Sequence, residues 1–375
     1  MSGWIDWNPA LEVALVGALL AVLPAAWVVV KGRRAGLRGW PAWQGALTVV
    51  TLFLTVDLVV FGAFTRLTDS GLGCPDWPGC YGHNSPVGAH DLIQQAQAVL
   101  PSGPVTHGKA WVEMIHRYLA SAVGALIIGL MLAAWWGRKR GSRLSPWWAT
   151  WTLAWVCVQG AFGAFTVTLK LYPLVVTGHL LGGLAGVALL TAQARALQSG
   201  GWADGAQARR GSHFLKGRIW LVLALAVIQM GLGGWVSTNY AVLACTEVPM
   251  CQGQWWPDMD WQTGFTLLRP LGGDGAGGQI TLAGLTAIHV AHRCAAVVVL
   301  LAMAWVGWHL WRSVRWRREA LGLWGLAVWQ LLTGLSNVVL GWPLVAALGH
   351  TLGAALLLWW LVRLLVQPRA DAVLE

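Results

Sequence analysis

Apolar residues in this chain neither alternate nor recur on a single helical face; they run on. Nine stretches are apolar almost throughout, at about 11–30, 44–65, 110–136, 147–170, 173–197, 217–239, 282–311, 320–340 and 343–366. A helix needs about 20 such residues, at 1.5 Å each, to cross the hydrocarbon of a bilayer. Polar residues are confined to the breaks. Two breaks are long, about 66–109 and 240–281, and the others are short and basic. The pattern predicts an all-α polytopic membrane protein with nine spans.

Composition agrees, since only 11% of residues are charged and 57% are hydrophobic, against about 25% charged in soluble domains. The 28 tryptophans suit a protein with two membrane interfaces, where indoles settle at headgroup level. The net charge of +10 needs no acidic partner, because 19 of the 25 Lys and Arg residues cluster in segments that fall on one side when the spans are threaded alternately. These clusters include Lys31, Arg33, Arg34 and Arg38, then Arg138, Lys139, Arg140 and Arg143, and Arg312, Arg315, Arg317 and Arg318. Arg195, Arg209, Arg210, Lys216 and Arg218 surround a third loop, and Arg363 and Arg369 lie near the C-terminus. The positive-inside rule puts that side, with the C-terminus, in the cytoplasm. Nucleic acid is therefore not an expected partner, and membrane lipid is. The first span begins with Asp6 and Glu12 and has neither a basic leader nor an obvious cleavage site. It reads as an uncleaved extra helix with its N-terminus outside, and both long loops then lie outside too.

The chain also repeats itself. "GCPDWPGCYG" from Gly73 and "ACTEVPMCQG" from Ala244 place Cys74 and Cys245, and Cys80 and Cys251, 171 residues apart. Gln159 and Gln330, Gly163 and Gly334, and His179 and His350 keep the same interval. "EMIHRYLA" and "HVAHRCAA" put His116 and His292 176 apart, the longer second loop absorbing the difference. The expected organisation is an extra N-terminal helix with its basic loop (1–43), a four-helix half (44–197), a linker (198–216), a second four-helix half (217–366) and a tail (367–375). Each half enters and leaves the membrane an even number of times, so the repeats are parallel, related by an axis along the membrane normal.

Of the ten histidines, His83, His90, His107, His213 and His309 lie in loops or near a helix end and read as solvated or interfacial. His116, His179, His292 and His350 lie seven to eleven residues inside a span, roughly 10–16 Å below the outer surface. Each half supplies one on its second helix and one on its fourth. Ionisable groups at such depth mark functional sites by default. Two facing imidazoles in a four-helix bundle suit a porphyrin iron, which takes axial ligands from opposite sides, better than zinc, which wants four converging ligands. Arg117 and Arg293 directly follow two of these histidines and suit carboxylates such as heme propionates; snorkelling to the interface is the alternative. Glu113 lies one turn before His116, whereas the equivalent residue of the second half is His289. That asymmetry suggests one site for chemistry and one for electrons. Asp57 is a second intramembrane acid, a proton relay or a partner for a neighbouring helix.

The four loop cysteines are on the outer side, where oxidation is permitted. Local disulfides, Cys74–Cys80 and Cys245–Cys251, are the plain reading, with a reversible redox pair or a metal site as alternatives. Cys157 and Cys294 lie within helices and are expected to be packing residues.

Taken together, "GAFTRLTDSGLGCPDWPGCYG", "EMIHRYLA", "VTGHLLGG", the second clasp, "HVAHRCAA" and "ALGHTLGA" resemble heme A synthase over about residues 44–366. The resemblance implies conversion of heme O to heme A for cytochrome c oxidase biogenesis, by two successive hydroxylations of a ring methyl that end in a formyl group. It implies a heme b cofactor on His292 and His350, substrate heme on His116 and His179, a functionally essential glutamate at Glu113 and a loop disulfide at Cys74 and Cys80. Location in the bacterial inner membrane follows, with heme O synthase, oxidase assembly factors and an electron-transfer partner of unspecified kind as associates, and a homo-oligomer as a further expectation. Residues 1–43 fall outside the family's eight-helix core. The rival from another class is a di-heme electron carrier, a cytochrome b-like quinone or thiol reductase, which would have two equivalent hemes and no use for Glu113. A transporter or heme-handling assembly protein is a third reading.

Overall fold

In the computed structural model, residues 8–140, 142, 144–198, 209–268 and 280–366 are described, without the side chains of 209–214. The linker segment 199–208 and the tail 367–375, with Arg143, the His213 side chain and Arg369, lie outside the described residues. Among those described, nine helices are long and apolar enough to span a membrane. They are α1 (Asn8–Arg34), α2 (Trp40–Leu67), α4 (His107–Gly137), α5 (Pro146–Thr168), α6 (Pro173–Gln198), α7 (Arg209–Thr238), α9 (Leu282–Trp311), α10 (Arg317–Val339) and α11 (Leu344–Leu365). Two helices in the long loops complete the set, α3 (His90–Val99) and the single turn α8 (Trp261–Gly264). The protein is thus an all-α, multi-pass membrane protein.

Local chemistry sets the helix ends. Prolines open α2 and α5, where the missing N–H would be unsatisfied anyway. Thr106 caps α4 by accepting from Lys109 N at 3.3 Å, and Thr281 caps α9 by accepting from Gly284 N at 3.0 Å. At the basic ends, guanidiniums lie over indoles. Arg140 sits 4.9 Å from the Trp136 ring and 5.5 Å from that of Trp40, and Arg363 sits 4.4 Å from that of Trp360. Charge and aromatic belt are therefore one structure there.

The duplication seen in the sequence recurs in the backbone. Left-handed residues occur in pairs 171 apart, at Asp69 and Tyr240, Tyr81 and Gln252, Gly82 and Gly253, Lys170 and Gly341, and Leu171 and Trp342. Trp77–Pro78 and Val248–Pro249 are both cis.

Two compact units are present. The first takes in Met1–Leu171 and Ala185–Gly205, and the second Tyr172–Leu184 and Ala206–Leu365, with the last residues, from Val366, falling in the first. The compact division therefore runs through α6, whereas the sequence repeat ends after it. In the first unit α1 lies tight against α4, since a Cβ at Gly17 would come within 2.3 Å of Ser121 Cβ and 2.7 Å of its carbonyl carbon. Val13 joins Cys74, Cys80, Ala89, Ile93, Ala110 and Met114 in one buried cluster, so the extra helix and α3 close over the first cysteine clasp. In the second unit Trp235, Val236, Ala241, Val242 and Ile288 form a buried apolar cluster.

Candidate functional site

Both clasps are disulfides, Cys74–Cys80 and Cys245–Cys251, with Cα atoms 4.9 and 4.8 Å apart. Each closes on a two-residue turn with both central φ angles positive, Tyr81–Gly82 and Gln252–Gly253, the geometry of a tight hairpin turn. Cys80 and His83 exchange backbone hydrogen bonds at 2.7 and 3.0 Å, as Cys251 and Gln254 do at 2.9 and 3.1 Å. An acid inside each loop accepts from the turn. Asp76 takes the Tyr81 and Gly82 N–H groups at 2.6 and 2.7 Å, and Glu247 takes that of Gly253.

An arginine from the adjoining spanning helix ties each clasp down. Arg117 on α4 donates to the carbonyls of Pro78, at 3.2 Å, and Gly79. Arg293 on α9 donates to Met250 O at 3.1 Å and Glu247 O at 2.8 Å. Gly79 and Met250 are equivalent positions of the repeat. Sequence reasoning assigned these arginines to propionates and missed the carbonyls, which lie 38 and 43 residues away along the chain.

Glu113 is buried beside Arg117. It accepts from Arg117 Nη2 at 2.5 Å and from the backbone nitrogen of Cys74 at 2.8 Å. The intramembrane acid, the buried cation and the disulfide form one connected group. His289, the counterpart of Glu113, instead directs Nδ1 to the carbonyl of Ala241 at 3.0 Å. The same helical position thus ties down the loop by accepting in one half and by donating in the other.

The four intramembrane histidines are all half-buried. His116 belongs to the first unit, and His179, His292 and His350 to the second. His116 lies parallel to the Phe61 ring at 6.2 Å, and a Cβ at Gly62 would sit 3.1 Å from its Cε1. Gly233, 171 residues on, stands in the same relation to His292 at 3.1 Å, and Gly334 to His350 at 3.3 Å. Glycine at these three positions lets each imidazole lie against the next helix. His350 Nδ1 is 3.0 Å from Thr333 Oγ1, the Gln229 amide nitrogen is 3.1 and 3.3 Å from the two ring nitrogens of His292, and His179 Nδ1 is buried with no hydrogen-bond partner among the described residues.

This donor set fits a heme. The His292 and His350 imidazoles each lie against a glycine of a neighbouring helix, while no three His, Cys, Asp or Glu side chains among the described residues converge to hold a bare metal ion. Other expectations fare differently. Asp57 is exposed on α2 and has no hydrogen bond or ion pair among the described residues. Cys157 and Cys294 are exposed, not packed. Apolar helices can turn outward on every face in lipid, so burial in a span does not follow from hydrophobicity. His309 bonds Trp305 O at 2.8 Å, and the His90 and His107 rings stand 4.7 Å apart in the outer loop.

A family model described as cytochrome oxidase assembly protein, COX15-CtaA, matches residues 45–362. The chain is 36% identical over 320 residues to the heme A synthase of Shewanella oneidensis, covering 84% of this chain and 93% of that protein. It is 26% identical to that of Halalkalibacterium halodurans, over 87% of this chain and 97% of the relative, and 27% identical to that of Beijerinckia indica, over 90% and 95%.

Proposed function

This chain belongs to the COX15-CtaA family, the heme A synthases, and from that premise we propose how its residues divide the work. The protein is a membrane-embedded oxidoreductase that converts heme O to heme A by successive oxidation of a ring methyl group to formyl, for cytochrome c oxidase biogenesis. The second half holds a resident heme b between His292 and His350, and the first half takes the substrate heme between His116 and His179. A resident heme supplies one-electron storage and transfer.

The chain's own residues do the rest. Glu113, one helical turn from His116, acts on the substrate as an acid–base or positioning group. The hydrogen bonds from Arg117 and Cys74 hold that carboxylate in one orientation and make its position depend on the clasp above it. Arg117 and Arg293 are also the cations next to one ligand of each pair and serve the propionates, while their bonds to loop carbonyls keep the guanidiniums at the outer end of the site. The cysteine loops and N-terminus face the outside of the bacterial inner membrane and the C-terminus faces the cytoplasm, following the basic clusters. Heme O synthase, oxidase assembly factors, an electron-transfer partner and further copies of this chain are its associates.

Beyond family membership, the observation that carries this division is the asymmetry at one repeat position. Glu113 is a carboxylate ion-paired with Arg117, where His289 is an imidazole bonded to Ala241. Two equivalent electron-carrying hemes would not call for it. Co-expression with a heme O synthase, followed by extraction and chromatography of the hemes, tests the reading. Heme A with heme b is the expected result, and heme b alone in both halves would overturn it.

A further inference from the structure

The two histidine pairs differ in what stands behind them. In the second half, Thr333 on α10 immediately precedes Gly334 and faces His350 on α11, with Oγ1 3.0 Å from Nδ1. The hydroxyl has a single hydrogen, and the carbonyl of Trp329, one turn back, takes it at 2.8 Å. With that hydrogen on Trp329 O, or on Gln330 O at 3.4 Å, the oxygen faces His350 as an acceptor, the arrangement in which Nδ1 carries the hydrogen and Nε2 the lone pair. That is the tautomer an iron ligand needs when iron binds through Nε2. The same helix also fixes the backbone of His350, because Gln330 Nε2 donates to its carbonyl at 3.1 Å.

The counterpart of Thr333, 171 residues earlier, is Phe162. A phenyl ring cannot accept that hydrogen, and His179 Nδ1 is buried without a partner among the described residues. The other ligand pair shows the same contrast. Gln229 lies against His292 with its amide nitrogen 3.1 and 3.3 Å from the ring nitrogens, and its counterpart is Leu58. At these two positions the second half carries a polar side chain, Thr333 and Gln229, where the first carries Phe162 and Leu58, whereas Gln330 keeps a glutamine counterpart in Gln159.

We propose that Thr333 is a positioning residue for the resident heme: by accepting the Nδ1 hydrogen of His350 it fixes the ligating tautomer and makes this pair the one that retains its heme, while the Phe162 half is left able to exchange its own. The inference rests on the ligand assignment given above. A buried imidazole whose N–H has an acceptor is a stronger donor to the metal and is held at one ring orientation, and loss of such an outer partner typically costs 10–100-fold in metal affinity. A stronger donor favours ferric over ferrous iron, so removing the acceptor should raise the midpoint potential.

The test uses the full-length protein in a His116→Ala background, so that the second-half heme is the one observed. Thr333→Val, Thr333→Ser and His350→Ala are compared by heme transfer to excess apomyoglobin, by spectroelectrochemical titration and by the low-spin ferric electron paramagnetic resonance signal. Thr333→Val should release heme roughly 10-fold faster or more, with a higher midpoint potential and a shifted ferric signal. Thr333→Ser, which keeps the oxygen, should restore all three. If His350→Ala loses the low-spin signal while Thr333→Val matches the parent in all three, this inference falls and the ligand assignment stands. If the signal survives His350→Ala, the ligand assignment falls and this inference with it. If Thr333→Ser fails like Thr333→Val, the hydroxyl acceptor is not the cause and the proposal is overturned.

Discussion

The Glu113 carboxylate accepts a hydrogen bond from the backbone nitrogen of Cys74 at 2.8 Å, joining the second turn of a spanning helix to the first residue of a disulfide. With Arg117 on its other oxygen, Glu113 is both the candidate active-site acid and the anchor of the loop above it.

Replacing Glu113 by Ala should therefore do two things. Heme A should disappear from extracts while total bound heme persists, and peptides spanning residues 73–82 should exchange amide hydrogens faster because Cys74 N loses its acceptor. Glu113→Gln can still accept from Cys74 but leaves the buried Arg117 without its counter-charge, a change that typically costs about 3–5 kcal/mol. It should preserve loop protection better than Ala yet melt lower than the parent. Heme A production in Glu113→Ala would remove the catalytic role, and unchanged exchange would remove the anchoring one.

Arg117 and Arg293 give a paired prediction. Each guanidinium reaches more than one carbonyl of its clasp, which the single ammonium of lysine cannot reproduce with the same fork geometry. Arg293→Lys should loosen residues 245–253 selectively and Arg117→Lys residues 74–82, read by hydrogen exchange under native conditions. The Arg117 variant should also lose heme A, because Glu113 loses its partner. If each variant loosened both clasps alike, or neither, the one-to-one assignment would be wrong.

Much of this was legible in the sequence and some was not. The nine runs of apolar residues gave the spans to within a few positions because membrane helices are bounded by a sharp change of solvent. The 171-residue interval identified equivalent positions, which makes Thr333 against Phe162 readable at all. The partners of Arg117 and Arg293 were not legible, since carbonyls carry no residue-type signal and theirs lie far along the chain. The two helix cysteines were misjudged for a related reason. A span has lipid-facing and protein-facing sides of nearly the same composition, so hydropathy does not say which way one side chain turns. Helix α3 was hidden among the polar residues of the first long loop, where nothing marked its apolar face.

The extra helix α1 is integral to the first unit. At Gly17 a Cβ would meet Ser121 and the Ala122 backbone nitrogen at 2.3–2.9 Å, with backbone atoms that have nowhere to go. Gly17→Ala should destabilise by about 1–3 kcal/mol, the usual cost of overpacking, and Gly17→Leu by more. Peptides from α4 and the first clasp should lose exchange protection, since Val13 packs with Cys74 and Cys80. Peptides from α9 in the second unit should not. Parent-like melting of Gly17→Leu would show that α1 is merely tethered.

The outer loop should also respond to alkaline pH through Tyr81. Burial raises its hydroxyl above the usual value of 10.0, and the neighbouring Asp76 carboxylate raises it further. A group whose folded pKa is raised contributes stability that is fully present below the unfolded value and is lost as pH climbs through the folded one. The loop should hold at neutral pH and loosen above about 10 as the phenolate forms beside Asp76. The chain has four tyrosines, so the difference between parent and Tyr81→Phe in an ultraviolet titration isolates this one. Its midpoint should lie above 10 and move down in Asp76→Asn, which keeps an acceptor but removes the charge. A midpoint at or below 10 in the parent, or no movement in Asp76→Asn, would mean that Tyr81 is open to solvent and that Asp76 serves only the backbone of the turn.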